Sequence, residues 1–302
     1  MTSGIDASTQ KFLSDIANVQ ARSEKAQRQL SSGLKVAVAS DSPDVISQLL
    51  QVRVDLAHNT QIAGNLGRVK TEVDTAEQAL SDSTALLDRV NVLGAQGATG
   101  TQTASANQIL GGEVKTLMNR LVAISNTVVD GRHIFSGDRD QNNAYSLDST
   151  QVNGVSPYGG SAATRKAQHP SGTLFSIAKS AQEVFDDPSA QNNVFGAVNA
   201  MQIALTNNDA AGIKSALANV TTASSFLNSK LAFYGTVQNQ VQDATNYASD
   251  QEVRLKSELS NLQDADITQA ITELTQAKYT QQAAFQARAS MPKTSLFDFL
   301  FR

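Results

Sequence analysis

The chain has no cysteine, no tryptophan, only five prolines among 302 residues, and no run of more than four consecutive apolar residues. The missing cysteines exclude disulfides, thiol nucleophiles and thiolate metal sites. The missing apolar runs exclude a membrane-spanning helix, which needs about 20 such residues. Aromatic side chains make up only 5%. Rings supply much of the buried area of a large globular core, whereas alanine, leucine, valine and isoleucine suffice for thin seams between helices, so the scarcity points to an elongated helical protein. The net charge is −4 and Lys and Arg are scattered. That leaves no basic footprint, and neither nucleic acid nor a membrane is an expected partner. The opening MTSGIDASTQKFL lacks the basic and apolar regions of a cleavable signal, which leaves cytoplasmic residence or export by a machine that reads an uncleaved segment.

What is present is heptad periodicity. After Asn207, Asn208 and Asp209, alternate steps of four and three from Ile213 reach Leu217, Val220, Ser224, Leu227, Leu231, Tyr234 and onward to Leu255, Leu259 and Leu262, most of them apolar. A 3.5-residue repeat sustained this far predicts one long helix packing along a narrow seam, and at about 1.5 Å per residue it would be roughly 80 Å long. A second stripe, Val45, Leu49, Val52 and Leu56, shifts register and resumes as Ile62, Leu66, Val69, Val73, Ala76, Leu80, Leu87 and Val90, predicting a helix over 43–93. A third runs Leu110, Val114, Leu117, Leu121, Ile124 and Val128. GAQGATGTQTA, residues 94–104, reads as the turn that makes the second and third helices antiparallel neighbours.

Narrower stripes occupy the two ends. Ile5, Phe12, Ile16, Val19, Ala26 and Leu30 follow a heptad, and Ile267, Ile271, Leu274 and Phe285 a sparser one. The two helices are of similar length and are expected to pair with each other, although neither looks stable alone, because helices draw most of their stability from tertiary packing. Between the first helix and the second lies SSGLKVAVASDSPDV, residues 31–45. Gly33 can take the left-handed conformation that ends a helix, Leu34, Val36 and Val38 alternate as an extended crossing does, and Ser42 with Pro43 fits the cap and first turn of the next helix. Residues 131–172 are rich in Gly, Asn, Asp and Ser and read as loops with a hairpin around Val152, Asn153, Gly154 and Val155. GTLFSIAKSAQEVFDD and SAQNNVFGAVNAMQIALT then read as two shorter helices, the second capped by Ser189 after Pro188.

No catalytic constellation emerges. His58, His133 and His169 stand far apart, with no second His or Cys at metal-ligand spacing. Asp138, Asp140 and Asn142 begin like a calcium loop, but Asn143 stands where Gly is needed and Ser149 where a bidentate Glu is needed. GAQGATG lacks the Lys-Ser or Lys-Thr of a phosphate loop. Asp264 and Asp266 read as caps at a helix start. No metal, no cofactor and no enzymatic activity are expected.

At its ends the sequence resembles the bacterial flagellin and hook-associated protein family. QLSSGLKVAVASDSPDVISQLL is similar to the family's N-terminal motif, in which a terminal helix ends at an LSSG element and a long helix follows an SDDP-like cap; Leu30 to Gly33, Ser40, Asp41 and Pro43 match, with Ser42 where a second Asp is common. LQDADITQAITELTQAKYTQQAAFQA is similar to the C-terminal helix, with Leu262, Asp264, Ala265 and Asp266 matching its LxDAD start. DGRHIFSGDRDQNNAY and the ending TSLFDFLFR look more like the hook–filament junction branch than like flagellin, whereas the opening MTSGIDAST departs from the usual MRIS-type start.

The resemblance implies a structural protein of the flagellum, exported without a cleaved leader and self-associating through its terminal helices, with Ile5, Phe12, Ile16, Val19, Leu30, Ile267, Ile271, Leu274 and Phe285 as assembly residues and Gly33, Asp41, Ser42 and Pro43 as a joint between domains. It further implies a neighbouring hook-associated protein, flagellin, and a cytoplasmic export chaperone on the C-terminal helix as partners. The expected fold is mainly α, an elongated long-helix bundle with paired terminal helices (1–42 and 263–302), a rod (43–130 and 173–262) and a small outward-facing β or irregular insertion (131–172). A flagellin filament subunit and a non-flagellar helical adaptor remain the alternatives.

Overall fold

The computed structural model describes residues 7–162, 165–189 and 191–290. Helices dominate: α1 (Ala7–Ser32), α2 (Ile46–Gly97), α3 (Ala104–Ser125), α4 (Ala181–Phe185), α5 (Val194–Thr206), α6 (Ala210–Gln263) and α7 (Ile267–Ser290). Two antiparallel strand pairs accompany them, β1 (Val128–Val129) with β2 (Arg132–His133) and β3 (Lys166–Gln168) with β4 (Leu174–Ser176). The chain divides into two compact units, Met1–His58 with Glu252–Arg302, and Asn59–Gln251.

In the larger unit α2 and α6 run antiparallel, as the pairs Asn59–Ala248, Asp74–Gln238 and Asn91–Thr221 show. Every seventh residue of the α6 stripe, from Ile213 through Val220, Leu227, Tyr234, Val241 and Ala248, is buried. The intervening Leu217, Leu231, Gln238 and Thr245 are only half-buried, while Ala216, Ala223, Val237 and Ala244 are buried one place earlier. The buried face is thus wider than a two-helix seam, because α6 packs into a core that α3, α4 and α5 also fill. On α2 the shift of register falls at Asn59, a buried residue between Leu56 and Ile62, where steps of three and three replace three and four. Its amide nitrogen donates to the Ala248 carbonyl at 2.8 Å, and its Oδ1 has no partner.

Several boundaries differ from the sequence reading. Residues 94–97 continue α2 instead of opening a turn. A Cβ on Gly94 would come within 2.3 Å of Met201 Cε, and one on Gly97 within 2.4 Å of Leu205 Cδ2, so these glycines let α5 approach closely. The turn itself is 98–103, with Gly100 at φ 70° and Thr103 capping α3. An ion pair between Arg89 and Glu113 at 2.6 Å joins α2 to α3 on either side of that turn, as antiparallel neighbours require. Val128 belongs to β1 and not to the third stripe; Asp130 (φ 51°) and Gly131 (φ 75°) form the two-residue left-handed turn to β2. Around Asn153 the structure has a bridge, Leu147 to Val155, closed by a loop of 148–154 whose Gly154 has φ 77°. GTLFS is not helical: it forms β4 and pairs with β3. The helix starts only at Ala181, where Ser180 and Glu183 make a reciprocal capping box. Asn193, not Ser189, caps α5, its side chain accepting from the Gly196 N–H at 2.7 Å.

The few aromatics are concentrated here. Phe135, Phe185, Phe195, Tyr145 and Tyr158 stack in sequence at centroid distances of 5.0–6.0 Å. Asp186 accepts from the Tyr145 hydroxyl and from the amides of Asn153 and Asn193. Burial, with the Asp186 carboxylate beside it, pushes the Tyr145 hydroxyl far above its ordinary value, and burial pushes Tyr158 up to about 12. Both therefore act as neutral donors, Tyr145 to the Asp186 carboxylate at the end of α4 and Tyr158 to the carbonyls of Phe135 and Ser161 in the irregular segments. Across the unit, Arg165 holds Glu72 of α2 through two contacts of 2.7 and 2.9 Å. Burial raises the Glu72 carboxyl, and Arg165 opposes that rise.

Two substitutions in this unit should move stability in opposite directions. Arg165→Ala leaves Glu72 largely buried without its cation and should cost about 3 kcal/mol in urea denaturation. Asn59→Leu removes an unsatisfied buried oxygen while the Ala248 carbonyl stays bonded within α6, and should add about 1 kcal/mol.

Candidate assembly surface of the terminal helices

The smaller unit is built on α1 and α7. They pack antiparallel: Phe12 meets Phe285 edge to face at 6.2 Å, and Arg288 donates to Thr9 Oγ1 at 2.7 Å with its guanidinium 5.6 Å from the Phe12 ring. On α1 the seam follows the predicted stripe, with Val19 and Ala26 buried and Phe12, Ile16 and Leu30 half-buried. Ile5 lies outside the described residues.

On α7 the stripe divides. Leu274 is half-buried, but the buried positions are Ala270 and Ala277, joined by the half-buried Ala284. Ile267, Ile271 and Phe285 are 44%, 52% and 50% exposed, and Tyr279 is 68% exposed. Reading the large apolar residues as the packing face missed this, because alanines at heptad spacing fill the seam. The signal was the run Ala270, Leu274, Ala277, Ala284 at steps of four, three and seven. Beside the Phe12 contact the two helices leave a largely apolar groove of about 340 Å³, bounded by Ile16, Val19, Ala284 and Ala287. Ile267, Ile271 and Tyr279 therefore face water on a helix whose buried positions are alanines, while Phe285 is shared between the Phe12 contact and solvent.

The joint is held by backbone. Gly33, at φ 73°, ends α1 by donating its N–H to the Gln29 carbonyl at 2.8 Å. The next residues meet the junction between α6 and α7: Lys35 N–H and Val36 N–H donate to the carbonyl of Gln263, the last residue of α6, Ala265 N–H donates to the Gly33 carbonyl, and Leu34 bridges Asp264. Val36 is buried there. Val38 is 57% exposed, so the extended crossing ends before it. Asp41 turns the chain by accepting from the N–H groups of Ala37 and Val38, each at 3.0 Å, and these hydrogen bonds hold its carboxyl below the ordinary range. Ser42 and Pro43 lie three residues before the cap and first helical position of α2. The Ser42 carbonyl accepts from Val45 N–H in a separate turn, and α2 begins only at Ile46. A proline at 43 can stand in that turn because its missing N–H is not required there. Asp266 caps α7, accepting from the Gln269 N–H, whereas Asp264 accepts from the Ser260 hydroxyl.

His58 is exposed on α2, His133 lies in β2 and His169 follows β3. Among the described residues no three His, Asp or Glu side chains group as metal ligands, and no helix is long and apolar enough to cross a membrane. The unit can pack against other surfaces.

Comparison with known proteins agrees with this anatomy. Residues 6–140 match the bacterial flagellin N-terminal helical region and residues 213–300 the bacterial flagellin C-terminal helical region. The chain belongs to the bacterial flagellin family. The first takes in α1, α2 and α3, and the second most of α6 together with α7. This flagellin-family chain is 24% identical to flagellar hook-associated protein 3 of Escherichia coli K12, over 96% of each chain. It is also 25% identical to the flagellin of Bacillus subtilis 168, over 95% of this chain and 96% of that one. Among solved structures it resembles a putative flagellar hook-associated protein from Vibrio parahaemolyticus (TM-score 0.66, 18% identity, 74% of this chain and 100% of that one). It resembles FlgL of Bacillus cereus as well (TM-score 0.58, 20% identity, 69% and 98%). At these identities the structures establish the shared fold.

The Asp41 turn has a definite pH signature. Because its folded value is depressed, its contribution is present above the ordinary carboxylate value of 3.8 and is lost as pH falls through the lower folded value. Amide exchange followed by NMR should show Ala37 and Val38 losing protection in that acid window. In Asp41→Asn they should be poorly protected at neutral pH, with Gly33 unchanged.

Proposed function

We propose that this chain is a structural subunit of the bacterial flagellum that joins hook to filament and assembles through the outward face of α1 and α7. The observation that carries the reading is the exposure of Ile267, Ile271 and Tyr279, together with the half of Phe285 that the Phe12 contact leaves uncovered. Large apolar side chains in water favour burial against another surface by roughly 25 cal/mol per Å², and in a flagellin-family chain the neighbouring subunits supply that surface. Phe12, Ile16, Val19, Leu30 and Leu274 hold the pair together, so their assembly role is to set the face and not to form it. Gly33, Asp41, Ser42 and Pro43 form the joint between the assembly helices and α2. The end-to-end match to proteins named hook-associated protein 3 supports the junction role. On this reading a hook-associated protein and flagellin are the neighbours, export proceeds through the flagellar secretion apparatus without a cleaved leader, and a cytoplasmic chaperone covers α7 beforehand. The role involves no catalysis.

The match to a flagellin over nearly the whole chain favours a second reading, a filament subunit. Deleting the gene in its host and imaging the cells separates the two. Hooks without filaments, with flagellin lost to the medium, support the junction; shortened or unaltered filaments overturn it in favour of one flagellin among several.

The face itself is tested by Ile271→Asp and Tyr279→Asp, which change exposed residues outside the α1–α7 seam. Both proteins should keep their helical circular dichroism and be exported yet fail to enter the flagellum. Normal incorporation of both would show that this face is not the assembly surface.

A further inference from the structure

In the larger unit a cleft of about 460 Å³ lies between α2 and the two strand pairs. Its rim carries Arg68, Arg132, Arg165 and Lys166 against Glu72 and Asp130, a local excess of positive charge on a chain whose net charge is −4. Glu72 and Arg165 neutralise each other. Arg132 lies 3.9 Å from Asp140, and Arg68 donates to the neutral Asn65. Asp130 offsets one of the two charges that remain, at Arg68 and Lys166, so the rim keeps a modest positive excess carried by those two side chains.

The same cleft exposes a strand edge. In the β3–β4 ladder Ala167 and Phe175 face each other as a hydrogen-bonded pair, flanked by Ile177 N–H to Arg165 carbonyl and His169 N–H to Thr173 carbonyl. By the alternation of antiparallel ladders, Lys166 and Gln168 direct their N–H and C=O groups away from β4. Both residues are exposed and both line the cleft. The edge is also held in place. Phe175 packs on Ile62, Leu66 and Ala244, the His169 ring lies 5.1 Å from that of Tyr247, and Arg165 ties the start of β3 to Glu72 and to the Ile134 carbonyl. A rigid open edge beside fixed cations is pre-organised for an extended chain.

We propose that this cleft is a docking site for an extended acidic segment of a different polypeptide, which adds as a strand to the edge of β3 and places its carboxylates against Arg68 and Lys166. A second copy of this chain does not match that chemistry, because none of its four described strands carries an acidic residue. The site lies outside the terminal helices, so it stands or falls separately from the assembly reading.

The test uses the full chain and a short fluorescein-labelled peptide of alternating glutamate and valine. Fluorescence anisotropy should show saturable binding that weakens with salt. A lysine–valine peptide and a glutamate–valine peptide N-methylated on the backbone should bind at least tenfold more weakly. Arg68→Glu and Lys166→Glu, at exposed positions, should together weaken binding of the acidic peptide about tenfold without changing circular dichroism; Lys166→Gln gives a smaller loss in the same direction. No binding of the acidic peptide, equal binding of the lysine peptide, or indifference to the charge reversals would overturn the proposal. So would self-association of the chain through this cleft, seen by sedimentation and abolished by the same variants, in place of peptide binding.

Discussion

The terminal unit depends on one short backbone exchange, that of Gly33, Lys35 and Val36 with Gln263 and Ala265. It fastens the end of α1 to the junction of α6 with α7, far apart in the chain, and so fixes where each terminal helix sets out. The register of the pair follows from it. Phe12 and Phe285 stand nearly equal numbers of residues from Leu34 and Asp264, and they are the residues that meet. Side chains of α1 and α7 alone would specify this poorly, since a seam of Ala26, Ala270 and Ala277 offers little shape to lock one alignment against its neighbours. A backbone bridge supplies the specificity that the side chains lack, and the left-handed Gly33 is what turns the Gly33 carbonyl toward Ala265.

An alanine seam has a second consequence. Each alanine removes little apolar area from water, so the pairing of α1 with α7 gains less than the long seam of α2 and α6, where Leu66, Leu80, Leu87 and Leu227 are buried. At the same time Ile267, Ile271 and Tyr279 stay in water. A sequence selected only for a stable monomer would exchange these two sets. On the proposed assembly reading the large residues are the ones a neighbouring subunit would cover, and the small ones hold the pair.

How much of this was legible in the sequence depended on the range of the interactions involved. Long helices were legible because their signal repeats: Ile213 to Leu255 recurs every seventh residue, and no local feature competes. Gly33 was legible because a helix-ending glycine acts through its own φ angle. The strands were not. β3 and β4 are three residues each, and Leu174, Phe175 and Ser176 become a strand only because Lys166–Gln168 lies beside them and Phe175 finds Ile62 and Leu66; a pattern of apolar residues that short fits a helix equally well. Asp130-Gly131 was a readable hairpin signal, masked by assigning Val128 to the stripe of α3. Ser180 with Glu183 was a readable capping box, passed over in favour of an earlier helix start. In α7 the difficulty is of another kind: the apolar stripe shows which large residues recur, but the seam with α1 is filled by Ala270 and Ala277, whose small size gives a weak signal.

Asn59 shows why the larger unit is not simply an optimised version of the same seam. It interrupts an apolar row, leaves one oxygen without a partner, and donates to a carbonyl that α6 already satisfies, so its net contribution to stability is unfavourable. What it does contribute is discrimination. A slip of α6 along α2 by one heptad would put Val241 or Leu255 where Ala248 stands, and their larger side chains would crowd the amide away from the backbone carbonyl that the small alanine leaves accessible. An apolar residue at 59 would meet either neighbour equally well. One polar side chain thus raises the energy of the displaced registers more than that of the native one, and it stands where the heptad steps change, the point at which repetition alone specifies alignment least.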